Sequence, residues 1–470
     1  HHSNVVKTFE TEKELDRYEL LTETWESPII ITTLVQLLNT LFSNKTTAIR
    51  RMSALSDAVL VIDEVQSLPK KTLHMFSMAL NFLAYGCGAT IVLSSATQPC
   101  FDETEKPLRY AVPTDIVPYE KESFEVFKRT EIVDKTSPYG MSVEELADFS
   151  ADVLETVSSL LIICNTKESA FKLYLQLKQR CGAYKIVHLS ASMCMAHRID
   201  TLARIHASLK SREKLLCVST QLVEAGVDFS FERVIRVAAG MDNIAQAAGR
   251  CNRSNDFGGI CTVYVVNLNQ DVERLGMLHE IEAAQRCAKE VLHRFAQDPR
   301  PYAGDLLSAK SMAEYYQLLF NDIDIQGTFS FPQKLSYGTT ENLFDLLAEN
   351  KLHTERPEFK GTYFLNQAFK TAGQFFKVFD EDTTEMIVPY NAEAKELIAD
   401  LFSQKAAFDD AFLKTCIEKA KPYTVQIFEY QNRKLTEYGM LSSDDRGRFT
   451  VLNGQCYHAE TGVVIENFIF

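Results

Sequence analysis

Three short segments carry residue types and spacings suited to phosphoryl chemistry. Asp63-Glu64-Val65-Gln66 follows directly on the apolar run Val59 to Ile62. Strand-end carboxylates of this kind lie where open α/β sheets bind ligands. Phosphoryl transfer is mostly positioning and charge neutralisation: one carboxylate holds Mg²⁺ through water and a second orients the attacking water. Asp63 is assigned to Mg²⁺ and Glu64 to the water. Ser94-Ser95-Ala96-Thr97 follows the next apolar run, Ile91 to Leu93. Small and hydroxylated, it can hydrogen-bond the carboxylates and couple nucleotide state to domain movement through Ser95 and Thr97. Gln246-Ala-Ala-Gly249-Arg250-Cys-Asn-Arg253 places Gln246, Arg250 and Arg253 on one face at helical spacing. Arginine suits a γ-phosphate because its planar fork binds oxygens bidentately and stays charged. Taken singly, the first two also fit a solvated acidic pair and a Ser/Thr-rich turn.

A fourth segment, Ser219 to Asp228, again leaves a strand end. Gly226 permits close backbone approach, and Asp228 can accept from a ribose hydroxyl or pair with an arginine finger. Thr220 and Gln221 are candidates for a DNA phosphate. One decoy is rejected: His279-Glu280-Ile281-Glu282-Ala283 begins like a zinc-protease motif but has Ala283 where the second histidine belongs.

The elements that must position these groups read as alternating strands and helices. Pro28 to Thr32, Ala58 to Ile62 and Ala89 to Leu93 are expected strands, with helices at Leu34 to Phe42 and Leu73 to Phe82. Further strands are expected at Leu160 to Cys164, Lys185 to Leu189, Lys214 to Ser219 and Val234 to Val237, with helices around Ser169 to Gln179 and Ala196 to Leu209. Strands apolar on both faces and separated by helices imply parallel sheets covered on both sides. The fold class is α/β, two parallel-sheet domains in series. From Asp271 to Leu292, apolar residues at three- and four-residue steps predict an amphipathic helix. Short strands are expected at Phe449 to Leu452 and Val463 to Phe468. The chain then divides into residues 1–125 (partial first domain), 126–268 (second domain), 269–345 (helical linker) and 346–470 (small accessory domain).

Composition sets limits. The 470 residues are 46% hydrophobic and 24% charged, ordinary for core-forming protein. A formal charge of −14 excludes a generic electrostatic nucleic-acid binder, so any such contact is local. Eleven cysteines, odd in number and never spaced C-x-x-C, indicate neither a disulfide framework nor a zinc site. There is no run of about 18 uncharged apolar residues, and His1-His2-Ser3-Asn4 lacks a signal-peptide layout, so a cytoplasmic location is expected.

The order DEVQ, SSAT, ICNT, STQLVEAGVD and QAAGRCNR resembles superfamily 2 helicases, which implies that the two parallel-sheet domains are RecA-like, the first of them truncated. The flanks VIDEVQSLP, LSSATQP, VIRVAAGMDNIAQAAGRCNR and, more weakly, YHAETGVVIE are similar to the helicase module of the CRISPR-associated helicase-nuclease of type I systems. The resemblance implies an ATP- and Mg²⁺-dependent 3′ to 5′ translocase on single-stranded DNA, acting with a crRNA-guided surveillance complex in antiviral defence. It implies a DNA groove lined by Thr32, Thr33, Asn165, Thr166, Thr220 and Gln221. Gln66 departs from the His or Asp of many superfamily relatives. No Gly-x-x-x-x-Gly-Lys-Ser/Thr and no His-Asp dipeptide occurs, so this chain is expected to supply the C-terminal portion. It would work with an N-terminal half bearing the phosphate loop and nuclease, and would not hydrolyse ATP alone. Two alternatives stay open: a non-enzymatic DNA-groove and docking module, or another superfamily 2 helicase acting on DNA or RNA.

Overall fold

The computed structural model describes residues 21–111, 115–116, 127–224, 226–276, 278–334, 340–350, 366–378, 383–444 and 446–465. The opening residues His1 to Asn4 and the end of the expected last strand lie outside them. The chain forms two compact units, residues 1–119 with 293–380 and residues 120–292 with 381–470. The four-part division of the sequence runs along the chain, whereas the compact units divide both the expected linker, 269–345, at 292/293 and the expected accessory domain, 346–470, at 380/381.

In the first unit, β1 (Val59–Ile62) and β2 (Thr90–Leu93) form a two-stranded parallel sheet in the register Val59↔Thr90 to Ile62↔Leu93, and, later in the chain, β9 (Pro332–Lys334) and β10 (Thr340–Asn342) form an antiparallel pair. Counting helices of eight residues or more, α1 spans Leu34–Phe42, α2 spans Leu73–Gly86, and Ala309–Asn321 supplies a third, α8 in chain order. The core holds Phe76, Leu80 and Leu83 from α2 with Phe101, Tyr315 and Tyr316, each at most 1% exposed. Pro28 to Thr32 is not a strand: it has no ladder partner among the described residues, and Ile29 and Ile31 are 85% and 81% exposed. A backbone without a partner strand gains nothing from extension.

The second unit is built on a six-stranded, wholly parallel sheet of order β3-β8-β7-β4-β6-β5. Its strands are β3 (Thr130–Asp134), β4 (Ser159–Ile163), β5 (Lys185–Leu189), β6 (Leu215–Ser219), β7 (Arg233–Val237) and β8 (Cys261–Val266). β4 and β6 are buried at every position, as expected of central strands covered on both faces. Helices α3 (Val143–Leu154), α4 (Lys167–Arg180), α5 (Met195–Lys210), α6 (Met241–Ala248) and α7 (His279–Gln297) alternate with or follow them. α3 opens with a capping box: Ser142 Oγ accepts from Glu145 N, and the Glu145 carboxylate accepts from Ser142 N.

The same unit includes a mixed four-stranded sheet, order β12-β11-β14-β13, made of β11 (Thr383–Ile387), β12 (Thr424–Phe428), β13 (Leu441–Ser443) and β14 (Thr450–Leu452). Its helices are α9 (Ala392–Leu401), α10 (Asp410–Ala420) and α11 (Glu429–Glu437). This layer packs on α5. Cys194, at the α5 N-cap, shares a buried cluster with Met386, Val388 and Cys456, and the His197 ring stacks on Tyr390 at 4.4 Å and 16°.

Candidate nucleotide and nucleic-acid site

In the first unit, the chain leaving β1 turns sharply. Asp63 is exposed, and Glu64 takes a left-handed conformation (φ 53°) before a single 3₁₀ turn, Val65–Ser67. For an L-residue that conformation costs about 1–2 kcal/mol, and strain of this kind concentrates at functional turns. The parallel ladder carries the hydroxyl loop to the carboxylates: Ser94 N donates to Ile62 O at 2.8 Å, and Ser94 Oγ donates to Asp63 Oδ1 at 2.8 Å. The Gln66 amide donates to the Glu64 carboxylate. The Ser95 hydroxyl lies 2.6 Å from Gln66 Oε1 and accepts from Thr97 N at 3.0 Å. Thr97 Oγ1 meets Tyr316 OH of α8 at 3.1 Å, with both residues buried. Glu64, Gln66, Ser95, Thr97 and Tyr316 therefore form one hydrogen-bonded path from the carboxylate to a core helix. Gln66 is the bridging member, 3% exposed. Thr33 caps α1, its hydroxyl accepting from Gln36 N at 3.3 Å, while Thr32 beside it is half-buried.

In the second unit, helical spacing does not hold through the arginine segment. α6 ends at Ala248, and Asn252 has φ 48°. The cause is a competing partner: Phe231 N donates to Arg250 O, and Asn252 N donates to Phe231 O, both at 2.9 Å. These bonds draw the backbone out of the helix, so Gln246, half-buried on α6, is not on one helical face with the two arginines. The arginines differ in environment. Arg250 is 6% exposed; its Nε donates to Val223 O at 2.8 Å and its Nη2 to Glu224 O at 2.5 Å. Arg253 is 44% exposed at its side chain and pairs with Asp228 at 3.0 Å, the second of the two roles open to Asp228.

Around the loop that Arg250 grips lies a buried charged network absent from the sequence reading. Arg236 of β7, 1% exposed, pairs with Glu224, 4% exposed, at 2.7 Å. Asn243 Nδ2 donates to the other Glu224 oxygen at 2.9 Å. Arg236 Nη1 also donates to Asn165 Oδ1 and to Val237 O, each at 2.6 Å. Asn165 Nδ2 donates to Ala238 O at 2.8 Å, and Gln221 Nε2 donates to Asn165 O at 3.0 Å. Glu273, 6% exposed, faces Arg236 and Asn165. Burial pushes both carboxyls above their usual range, and the Arg236 charge pulls them back. Asn165 and Thr220 are thus interior residues, 5% and 4% exposed. The Thr166 hydroxyl accepts from Ser169 N at the start of α4. Gly226 (φ 73°) needs its glycine for backbone conformation alone, since an added Cβ would meet nothing within 4 Å.

Sequence reasoning had located Glu224, Gln66 and Ser94 within its motifs without giving them roles, and had missed Arg236, Glu273 and Tyr316. For Arg236 a signal existed: an arginine inside the apolar strand Arg233–Val237 calls for a buried partner. Tyr316 gave none, since an aromatic residue at helical spacing reads as core.

The first unit sets carboxylates and a hydroxyl loop at neighbouring parallel-strand ends, and the second carries an arginine-bearing segment between β7 and β8 of its parallel sheet, an α/β architecture of RecA-like type. Residues 156–256 match the family model of the CRISPR-associated nuclease/helicase Cas3, C-terminal region. Among curated proteins, the chain is 26% identical to the CRISPR-associated nuclease/helicase Cas3 of Haloferax volcanii, over 51% of this chain and 34% of that one. It is 32% identical to the CRISPR-associated helicase Cas3 of Thermoproteus tenax, over 23% and 18%. It therefore spans about a third or less of these relatives. Among solved structures, T. fusca Cas3 with AMPPNP has a TM-score of 0.57 at 14% identity, over 92% of this chain and 56% of that one. A chain of a CRISPR RNA-guided surveillance complex in a pre-nicking state has a TM-score of 0.53 at 13% identity, over 94% and 60%. At those identities the structures speak for the fold alone, and the likeness to the helicase portion of Cas3 rests on the family model and the curated relatives. No helix among the described residues is long and apolar enough to cross a membrane.

Proposed function

We propose that this chain is the C-terminal motor portion of a cytoplasmic, ATP-dependent single-stranded DNA translocase, 3′ to 5′ in direction, of CRISPR type I interference. In this reading it acts with a crRNA-guided surveillance complex in unwinding and degrading target DNA. The observation that carries the reading is the hydrogen-bonded path from Glu64 through Gln66, Ser95 and Thr97 to Tyr316, with Ser94 on Asp63. It ties the carboxylates suited to nucleotide chemistry to a core helix, as a motor that converts hydrolysis into movement requires.

The residues present fit Mg²⁺-nucleotide in part. Asp63 is exposed with one oxygen held by Ser94, which leaves a carboxylate suited to a hydrated divalent ion, and the ion when bound neutralises phosphate charge. Glu64 would orient the attacking water, Arg253 would stabilise charge on the transferred phosphoryl group with Arg250 bracing the loop beside it, and Gly226 and Asp228 would stand on the nucleotide side. Thr32, Thr33, Asn165, Thr166, Thr220 and Gln221 belong to segments that line the DNA groove. None of these 470 residues forms a Gly-x-x-x-x-Gly-Lys-Ser/Thr loop, which favours a second reading of the isolated chain as a DNA-groove and docking module.

ATP hydrolysis measured with Mg²⁺ and single-stranded DNA, for the chain alone and mixed with a separately made N-terminal half bearing a phosphate loop, tests the proposal. Activity only on mixing is the expected result. Activity of the chain alone would place the phosphates elsewhere. No activity in either case, with capture of the surveillance complex, would leave the docking module.

A further inference from the structure

The residues assigned to the DNA groove in the second unit are largely occupied with the protein itself. Asn165 and Thr220 are buried, the Thr166 hydroxyl caps α4, and the Gln221 amide is bonded to Asn165 O. With a net charge of −14, long-range attraction does not draw a polyanion to this protein either. A single strand that contacts this face needs exposed groups that bind bases.

Such groups stand where α4 and α11 begin. Lys167 follows Thr166 directly and is the first residue of α4. Phe428 ends β12 and is the N-cap of α11, and Tyr430 lies in its first turn. The two rings are stacked, with centroids 5.8 Å apart and planes 15° from parallel, and Lys167 Nζ lies 5.1 Å from the Phe428 centroid. Tyr430 is 53% exposed and Phe428 is half-buried. Glu168 and Glu429 are adjacent in sequence, but each is matched by a cation: Glu168 by Lys172 at 2.5 Å and Glu429 by Arg433 at 3.3 Å.

We infer that Phe428 and Tyr430, with Lys167 beside them, form a base-stacking platform for single-stranded DNA on the accessory sheet of the second unit. The inference rests on the single-stranded DNA reading and adds residues outside its motif set. Every base has a π-face, so a ring platform is indifferent to sequence, as a translocase requires. The Phe428 ring, fixed between strand and helix and covered by Lys167, holds Tyr430 in a defined plane. The Lys167 ammonium supplies a local cation for a phosphate without making the surface basic.

The test is fluorescence anisotropy of labelled oligothymidylate on the full 470-residue chain, with Tyr430→Ala, Tyr430→Phe, Lys167→Ala and Gln221→Ala variants and an abasic oligonucleotide of the same length. Tyr430→Ala is expected to weaken oligothymidylate binding by roughly 5- to 100-fold, the range for loss of one stacked base. Tyr430→Phe restores it, and on the abasic strand wild type and Tyr430→Ala bind alike. Lys167→Ala lowers the salt dependence by about one phosphate contact, a log–log slope change of roughly 0.7. If Gln221→Ala weakens binding while Tyr430→Ala does not, the platform is refuted and the groove stands. If Tyr430→Ala weakens abasic and normal strands equally, stacking is refuted. If wild type does not bind oligothymidylate, the single-stranded DNA reading fails and the platform with it.

Discussion

Replacing Arg236 by methionine keeps most of the side-chain volume and removes one charge from the interior of the second unit. Arg236 is 1% exposed, and its removal strands Glu224, 4% exposed, and weakens the setting of Glu273, 6% exposed. Breaking a buried ion pair from one side costs about 3–5 kcal/mol, because the remaining charge has no counter-ion. The lost bonds to Asn165 Oδ1 and Val237 O fall within the same figure, since one guanidinium made all of them. The carboxyls can escape by taking up a proton. Burial already raises both pKa values, and without Arg236 they rise further. A carboxyl whose folded pKa exceeds its unfolded value destabilises most at high pH, so the deficit is full at neutral pH and shrinks as pH falls toward 5. With two units in the chain, a single global unfolding energy is not defined, and amide hydrogen exchange in β4 and β7 is the suitable assay. At about 1.4 kcal/mol per decade, protection is expected to fall by roughly 10²- to 10⁴-fold at pH 7.5 and by less at pH 5.5. Arg236→Met with Glu224→Gln should recover part of the loss, because the second change removes the stranded charge and keeps the bond from Asn243. A loss under tenfold, or a double variant equal to the sum of the singles, would refute the network as the anchor of the loop.

Two further outcomes follow from the same unit. His188 and His197 are pushed down to about 4, mainly by burial and further by neighbouring cations, from the ordinary 6.5. The unfolded chain then binds protons between pH 6.5 and 4 that the folded one refuses, so stability is full above 6.5 and lost by about 3 kcal/mol per histidine on the way to pH 4. Because His197 stacks on Tyr390 and its Nδ1 lies 2.9 Å from Tyr457 OH, exchange protection in residues 383–465 should fall over that window, and His197→Gln should flatten the curve; a flat wild-type profile would contradict this. Gly226→Ala and Gly462→Ala both place a side chain at positive φ, but only at Gly462 does the new Cβ meet backbone, 2.3 Å from Ser192 O. Gly226→Ala is expected to cost about 1–2 kcal/mol and Gly462→Ala clearly more, read as protection of the flanking amides.

Much of the fold was legible because its strands are continuous apolar runs. Lys185–Leu189 falls where it was expected, and Leu215–Ser219 and Arg233–Val237 differ from expectation by one residue at the start. β3 and β8 were not seen. Thr130–Asp134 holds only two apolar residues, Ile132 and Val133, flanked by Glu131 and Asp134, and Cys261–Val266 follows a glycine pair that reads as loop. α3 was missed although Ser142-Val-Glu-Glu145 is a capping-box signature. Three of the four motif segments lie at strand ends as expected, whereas the arginine segment departs from the expected helical spacing after Ala248, and in all four the partners of the side chains were not accessible from spacing. Which hydroxyl meets Asp63 depends on the β1–β2 register, and whether Arg250 faces a ligand or a carbonyl depends on Phe231, nineteen positions away, capturing the backbone.

That capture separates the two arginines of the segment. Releasing Arg253 from Asp228 is cheap, because both side chains are well exposed, 44% and 82%, and a surface ion pair is worth at most about 1 kcal/mol. Releasing Arg250 means breaking two charge-assisted bonds to Val223 O and Glu224 O inside the protein, each worth about 1.5–3 kcal/mol. Arg250 is therefore suited to clamp the loop of residues 223–228 and Arg253 to swing toward a phosphate. In the complete motor, Arg253→Ala should remove DNA-stimulated ATP hydrolysis by tenfold or more while leaving DNA binding and the exchange protection of β6 and β7 unchanged. Arg250→Ala should lower hydrolysis and also expose those strands to exchange. Asp228→Asn, which frees Arg253 without removing it, should leave hydrolysis within a few-fold. Equal effects of the two arginine changes on exchange would mean that the bonds of Arg250 to the loop do not separate its role from that of Arg253.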